Sequence, residues 1–432
     1  MHNHTNVPIV ILGAGLAGLS AAYHLSSPYE VFEKESDPGG AARSFTVNGF
    51  TFDYAVHILY TKDPYASWLI QELLGPNFTR QQRSSWVCSH DVHTRYPYQA
   101  NTFGLPVGVI EENILGLIEA LYAPSVAPPR NFAEWFQATF GQGFARNFMI
   151  PFNRKVWATD PVNMGFQWIE GRVLTPRLEE ALEGAFSEQE KGFGPNAEFW
   201  YPREGGTGAL PRSFLPHVRN LHLNAPAQRL DVDRRCVTFA DASTVHYSRL
   251  ITSLPLPLLI EMLDSVPASV GKASRQLRCN RVITVNLGVN RPQISDKHWV
   301  YYPEEKYVFQ RLSLPMNFAP SLVPPDTSSI LVEISASEER PIDESAAVES
   351  TIRGLMDAKL LRADDELAVR DMRVIDPAYV IYDSHHREAV DTIHAYLHKN
   401  DIIACGRFGD WEYLNMDQAI LSGKRAAEAA TA

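Results

Sequence analysis

Residues 7–18 constrain the fold more than any other stretch. Val7 to Leu12 is a short apolar, β-branched run of the kind that forms a strand buried on both faces. It runs into Gly13-Ala14-Gly15-Leu16-Ala17-Gly18, and Leu16 to Leu25 then carries helical apolar periodicity. A second strand, Tyr29 to Phe32, ends at Glu33, so strand, helix and strand fit the length of one βαβ unit. Placed after a strand and opening a helix, the three glycines have separate tasks. Gly13 permits the tight turn, Gly15 lets backbone approach a pyrophosphate, and Gly18 allows helix and strand to pack closely. The helix start at Leu16 and Ala17 offers free N–H groups and the positive end of the helix dipole to an anion. Glu33 follows Gly13 by twenty residues, where an acid hydrogen-bonds a ribose diol. Glycines alone make ordinary turns; the two strands and the acid specify a dinucleotide site.

The next loop, Lys34 to Ser44, selects among dinucleotides. Gly39, Gly40, Ala41, Arg43 and Ser44 place a second glycine pair and a cation directly after the second strand, suited to reaching over an extended pyrophosphate. Such a βαβ unit, acid, then Gly-Gly and a basic residue resembles the FAD-binding half of the amine-oxidase-like flavoproteins. In these the FAD domain is discontinuous and closed by a C-terminal strand and helix. Asp401 to Ala430 has that form, which implies a flavin role for Gly406, Arg407, Asn415, Met416 and Asp417.

Length and composition agree with a folded enzyme. At roughly 150 residues per domain, 432 residues suggest two or three lobes. A net charge of −11, with no block of like charges, gives nucleic acid little to bind, and 45% hydrophobic with 21% charged residues describes a globular chain. Cys88, Cys236, Cys279 and Cys405 show neither a CxxC pair nor a short spacing, so no metal site and no disulfide framework is expected. MHNHTNVP is unlike a secretory signal, and the most apolar window, Leu250 to Leu263, is broken by Pro255 and Pro257. The expectation is a soluble, cytoplasmic protein with no membrane partner.

Along the chain, Tyr96 to Phe186 reads as helical, with Asn131 and Glu134 forming a capping-box-like start. Strands are expected at 237–239, 249–254, 281–288 and 329–335, with an irregular, disordered Pro/Ser loop over 319–329. Trp135, Trp168 and Trp200 read as packing residues.

Several further segments resemble the UDP-galactopyranose mutases, eukaryotic type. The stretch 406–417 (GRFGDWEYLNMD) is the most specific. YPYQAN at 96–101 resembles their uridine-binding segment. PFNRKVW at 151–157, Arg172 in EGRV, GPN at 194–196, WVYYPE at 299–304 with Arg311, and PAYVIYD at 377–383 then follow in the same order. The resemblance covers nearly the whole chain. It implies an α/β fold: a discontinuous Rossmann-like FAD-binding domain (1–95, 205–275 and 385–432), a helical insertion (96–190) and an antiparallel-sheet substrate domain (191–204 and 276–384). It also implies pyranose–furanose interconversion of UDP-galactose or a related UDP-sugar without net redox change. In that mechanism reduced FAD attacks the anomeric carbon through N5, expelling UDP and forming a covalent sugar adduct that opens and recloses. NADPH is the reductant of eukaryotic-type mutases, although no separate nicotinamide motif is visible here.

The resemblance assigns Arg172 and Arg311 to the leaving pyrophosphate, each able to give charge-assisted hydrogen bonds. It puts Tyr301, Tyr379 and Tyr413 on the same oxygens, Tyr98, Gln99, Asn153 and Trp157 around the uridine, and Asn196 among the substrate-binding residues. His57 falls at the reactive edge of the flavin. One departure stands out. The mutases carry Gly-Gly-His or Gly-Ala-His, and this chain has Ala55-Val56-His57, where a β-branched residue resists positive φ. The chain is also shorter than the eukaryotic enzymes, so their oligomer contacts do not carry over. Two other classes stay open: an FAD-dependent oxidase or desaturase, from the FAD half alone, and a non-catalytic nucleotide-sugar binder that keeps FAD structurally.

Overall fold

A computed structural model describes residues 4–123, 127–169, 173–189 and 197–432. The fold is mixed α/β, organised on two seven-stranded sheets. In the first, His4–Leu12 pairs parallel on one side with Tyr29–Phe32 and on the other with Thr244–Thr252. Ile402–Ala404 adds in parallel to Thr244–Thr252. Three segments far apart in sequence therefore build one parallel centre, and its apolar strands are covered on both faces, as parallel sheets require. The Leu16–His24 and Met416–Thr431 helices cross there at backbone contact, since a Cβ on Gly423 would lie 2.1 Å from the Ala17 carbonyl oxygen.

The second sheet runs Leu367–Ile375, Arg281–Val289, Ser328–Ala336, Arg311–Ser313, Trp299–Tyr301, Ser85–Ser89, Val92–Arg95. Its pairs are antiparallel except Trp299–Tyr301 with Ser85–Ser89. Residues 85–95 thus pair with this sheet, not with the nucleotide-binding sheet to which the sequence reading attached them. The reason is a long-range parallel pairing that leaves no local trace. The 319–329 stretch is also more ordered than expected: it holds a short turn at Pro320–Leu322, with Ala319 and Leu322 buried.

Between the sheets' contributions lies a helical segment, Val107–Tyr122, Phe132–Phe144 and Ile150–Trp157. The first two of these helices pack at glycine positions, where a Cβ on Gly143 would lie 2.0 Å from the Glu112 carbonyl oxygen. Asn131 caps the second helix, accepting from the Glu134 N–H at 2.9 Å. Ile150–Trp157 is the helix that carries Asn153 and Trp157 toward the second sheet.

Candidate functional site

The two glycine loops face each other. Gly13 has φ +94° and donates its N–H to Phe32 O (2.8 Å), and a Cβ on Gly18 would lie 1.9 Å from the Gly13 oxygen. Gly39 donates to Ala14 O (2.8 Å), while a Cβ on Gly40 would come within 3.3 Å of the Gly15 Cα. Leu16 and Ala17 open the helix at this point and are buried. The Glu33 carboxylate, expected on a ribose diol, is buried at the end of its strand and accepts from Ala14 N–H (2.7 Å) and Glu35 N–H (3.0 Å), so it braces the glycine turn. Ala41 lies in the short turn after Gly40, and Arg43 closes that turn, donating Nε–H to Gly40 O (3.0 Å) with its guanidinium 4.5 Å from the Tyr54 ring centre.

Two residues of this set point elsewhere. Lys34 keeps 64% side-chain exposure, near Glu35, and is not gathered into the cradle. The Ser44 hydroxyl donates to Asp53 Oδ1 (2.6 Å) and accepts from Gly208 N–H (2.8 Å), which makes it a structural brace. Asp53 completes that brace by accepting also from the Tyr201 hydroxyl (2.7 Å) and Thr207 N–H (2.9 Å).

The C-terminal segment lies against the same helix. Gly406 has φ +77° with a would-be Cβ 2.5 Å from the Ala17 Cβ, and its N–H donates to Ser422 Oγ (2.8 Å). Asn415 caps the last helix, with Met416 and Asp417 as its first residues. Among the described residues, Arg407 Nε and Asp417 Oδ1 are buried without a hydrogen-bond partner. Buried polar atoms of this kind call for one. A glycine cradle, a helix start and two buried polar atoms without partners, on side chains of opposite charge, are together what a flavin dinucleotide fits.

Beyond this cradle the second sheet supplies charge. Arg311 and Glu333 are cross-strand partners, and the guanidinium is held by three hydrogen bonds, Nε to Oε2 (2.9 Å) and Nη2 to both oxygens (2.8 and 2.6 Å). Glu333 is nearly inaccessible, whereas the Arg311 side chain keeps 18% exposure. Burial opposes the Arg311 charge, but Glu333, with Tyr379 and Tyr301, outweighs it and holds the pKa above its ordinary value. Glu333 Oε1 also accepts from Val56 N–H (3.0 Å), which ties the His57 loop to Arg311. His57 Nδ1 lies 2.8 Å from Ala55 O. Burial, opposed by Asp53, keeps the His57 pKa below its ordinary value. The ring is then neutral, with its proton on Nδ1 toward the carbonyl and Nε2 left as the acceptor. Neither Ala55, Val56 nor His57 takes positive φ, so the loop without glycine is accommodated in ordinary backbone.

Aromatic residues form the walls. Tyr379 and Tyr413 lie nearly parallel with centroids 5.8 Å apart, and the Arg407 guanidinium sits 5.0 and 4.7 Å from their centres. Trp157 meets both edge-on, at 5.6 and 6.0 Å, and Trp168, read as packing, lies directly behind it at 4.8 Å. Asn153 accepts from the Trp157 indole N–H (3.0 Å) while donating to Met149 O (2.8 Å), and Gln99 donates to Leu174 O (2.7 Å). Tyr301 stands opposite Arg311 in the ladder and contacts Phe152 edge-on at 5.0 Å.

Tyr98 does not reach this wall. It is fully buried, stacked 4.7 Å from Phe148 within the helical core. The tyrosine of that segment beside Tyr301 is Tyr96, with centroids 5.1 Å apart and Arg83 lying 5.6 Å from its ring centre. Arg172 and Asn196 lie outside the described residues. The sequence reading took in Tyr96 only as part of the segment YPYQAN and gave Arg83 and Glu333 no role; of these two only Glu333, a lone charge inside the apolar run SILVEIS, carries a visible signal. No group of His, Cys, Asp and Glu among the described residues could hold a metal, and no helix among them is long and apolar enough to cross a membrane.

The model of the flavin containing amine oxidoreductase family matches residues 16–431. The chain belongs to that family. The family is one of flavin-containing oxidoreductases. Among curated relatives, protoporphyrinogen oxidase 2, chloroplastic/mitochondrial, of Arabidopsis thaliana is 22% identical over 302 residues, 59% of this chain and 58% of that protein. The zeta-carotene-forming phytoene desaturase of Myxococcus xanthus is 23% identical over 308 residues, 62% of this chain and 57% of that one. The chain thus spans somewhat over half the length of these relatives. Among solved structures, a reduced UDP-galactopyranose mutase superposes with a TM-score of 0.93 at 28% identity, covering 98% of this chain and 95% of the other. Wild-type putrescine oxidase bound to putrescine reaches 0.68 at 17% identity, with 99% and 100% covered, a likeness of fold.

Proposed function

We propose that this flavoenzyme is a nucleotide-sugar mutase interconverting pyranose and furanose forms of a UDP-linked sugar, UDP-galactose or a close relative. The observation that carries this reading is the 0.93 superposition, at 28% identity over nearly both chains, on reduced UDP-galactopyranose mutase. The cleft is chemically apt. Arg311 keeps Nη1 without a protein partner among the described residues after Nε and Nη2 bind Glu333, so it can take a pyrophosphate oxygen. Tyr301, Tyr379 and Tyr413 bring hydroxyl donors to the same region, and Tyr96, beside Tyr301, is the aromatic we assign to the base. We also assign Arg172 to the pyrophosphate and Asn196 to the substrate site, on the sequence resemblance alone.

Reduced FAD, when bound, supplies the nucleophile for the anomeric carbon. The chain's own residues orient the sugar nucleotide, neutralise the departing UDP through Arg311, and keep a neutral His57 beside the flavin edge with Nε2 free to accept a proton or hydrogen bond. NADPH is the reductant this reading favours. The curated relatives' names favour a second reading, an oxidase or desaturase. Incubating the dithionite-reduced holoenzyme with UDP-galactofuranose and other UDP-furanoses, with chromatography for the pyranose, separates the two. The mutase reading requires a pyranose product, whereas oxygen or acceptor consumption without pre-reduction supports the alternative.

A further inference from the structure

One carboxylate joins the two halves of the site. Glu333 sits on a strand whose residues are all buried, where a charge is retained only if fully paired. Its Oε1 accepts both Val56 N–H and Arg311 Nη2, and its Oε2 accepts Arg311 Nε and Nη2. Val56 lies one residue before His57, whose Nδ1 is bonded in turn to Ala55 O. A continuous chain of hydrogen bonds therefore runs from the partly exposed Arg311 guanidinium, through a carboxylate with almost no solvent contact, to the backbone of the loop that carries His57. The charges facing this unit are Arg311, Arg407 and Asp53, with the Tyr301 and Tyr379 hydroxyls beside Arg311.

We propose that Glu333 is a positioning residue that couples anion capture at Arg311 to the order of the 54–57 loop beside the flavin. The inference rests on the nucleotide-sugar reading for the identity of the anion, and on the observed bonds for the coupling. An anion on Arg311 Nη1 restricts the guanidinium to the rotamer that grips Glu333. That in turn fixes the acceptor of Val56 N–H, so occupancy of the anion site slows opening of the loop. Linkage is reciprocal: a loop held closed by its acceptor favours the anion.

The test is hydrogen exchange of the segment 54–58 in the oxidised holoenzyme, alone and with saturating UDP or inorganic pyrophosphate, binding being measured separately by calorimetry. Either ligand is expected to slow exchange of that segment about tenfold in the parent. In Glu333→Gln the ligand still binds, more weakly, and the exchange of 54–58 no longer responds. Glu333→Asp keeps the charge near Arg311 for folding but is one methylene too short to hold both partners, and it too is expected to lose the response. A response retained in both variants, or absent in the parent with ligand bound, overturns the proposal. Binding of pyrophosphate but not UDP, with the response intact, supports the coupling and refutes the nucleotide reading. Binding of neither ligand overturns both.

Discussion

The Arg311–Glu333 pair makes a prediction in which stability and ligand binding part company. Glu333 has no solvent to fall back on, and Arg311 supplies three of its four hydrogen bonds. Replacing Arg311 with Met strands a buried carboxylate on the Val56 N–H alone. Replacing Glu333 with Leu strands a buried guanidinium. Each single change is expected to cost about 3–5 kcal/mol. The double variant leaves apolar side chains of similar bulk and no unpaired charge, so it should return to within about 2 kcal/mol of the parent. With an unfolding entropy of about 2 cal/mol/K per residue, a chain of this size shifts its melting midpoint by about 1 °C per kcal/mol. Each single variant should therefore melt about 3–5 °C lower at saturating FAD and fixed scan rate, and the double should regain most of that. UDP affinity should follow a different order. Loss of one charge-assisted hydrogen bond of about 1.5–3 kcal/mol weakens binding roughly 10- to 150-fold, equally in Arg311→Met and in the double variant. A double variant that melts at the sum of the two single losses refutes the claim that the pair is one electrostatic unit. One that melts like the parent and binds UDP normally refutes the assignment of Arg311 to the anion.

Other consequences are open to measurement. Gly18→Ala drives a Cβ to within 1.9 Å of the Gly13 oxygen and should yield protein lacking bound flavin, read from its visible absorbance; retention of full FAD would contradict the cradle. Tyr96→Ala should weaken UDP binding by about 1–3 kcal/mol through lost stacking. Tyr98→Ala should instead cost about 3–5 kcal/mol of stability, and the reverse pattern in calorimetry and melting would restore Tyr98 to the cleft. His298 accepts from Ser84 N–H (2.9 Å) and donates to Asn317 O (3.1 Å), and burial pushes its pKa down to about 4. The unfolded chain takes up this proton below pH 6.5 and the folded one does not until about 4. The associated stability is present in full above pH 6.5 and falls by on the order of 3 kcal/mol as the pH drops through that window. His298→Gln should flatten this acid limb of the melting profile.

How far the sequence discloses this molecule depends on the range of the interaction. The first βαβ unit is legible because its parts are contiguous: Val7–Leu12, the glycines and Glu33 each do a local job that only those residue types can do. The C-terminal closure is legible for the same reason, through the strand-then-helix form of Asp401 to Ala430. The hairpin 85–95 is not, because its sheet is decided by a parallel pairing with Trp299–Tyr301 more than two hundred residues away. Tyr96 and Tyr98 flank the same proline; Tyr98 packs on Phe144 and Phe148 in the helical core, whereas Tyr96 lies beside Tyr301, a choice made by partners distant in sequence. Arg311 is legible as a cation at the right spacing, yet its partner is not, although a glutamate inside an apolar strand is itself a sign that a buried cation must be near. The Ala55-Val56 departure, which suggests a stiffer loop, becomes intelligible once Glu333 is seen to hold that loop by its backbone.

The central claim is mutase chemistry on reduced flavin, and turnover of UDP-galactofuranose by one holoenzyme preparation in its two redox states tests it most directly. The account predicts UDP-galactopyranose from the dithionite-reduced enzyme over many turnovers, no product from the oxidised enzyme, and no consumption of reductant per turnover. Product formation only with stoichiometric oxygen or acceptor uptake, or no pyranose from any UDP-furanose in the reduced state, would contradict it.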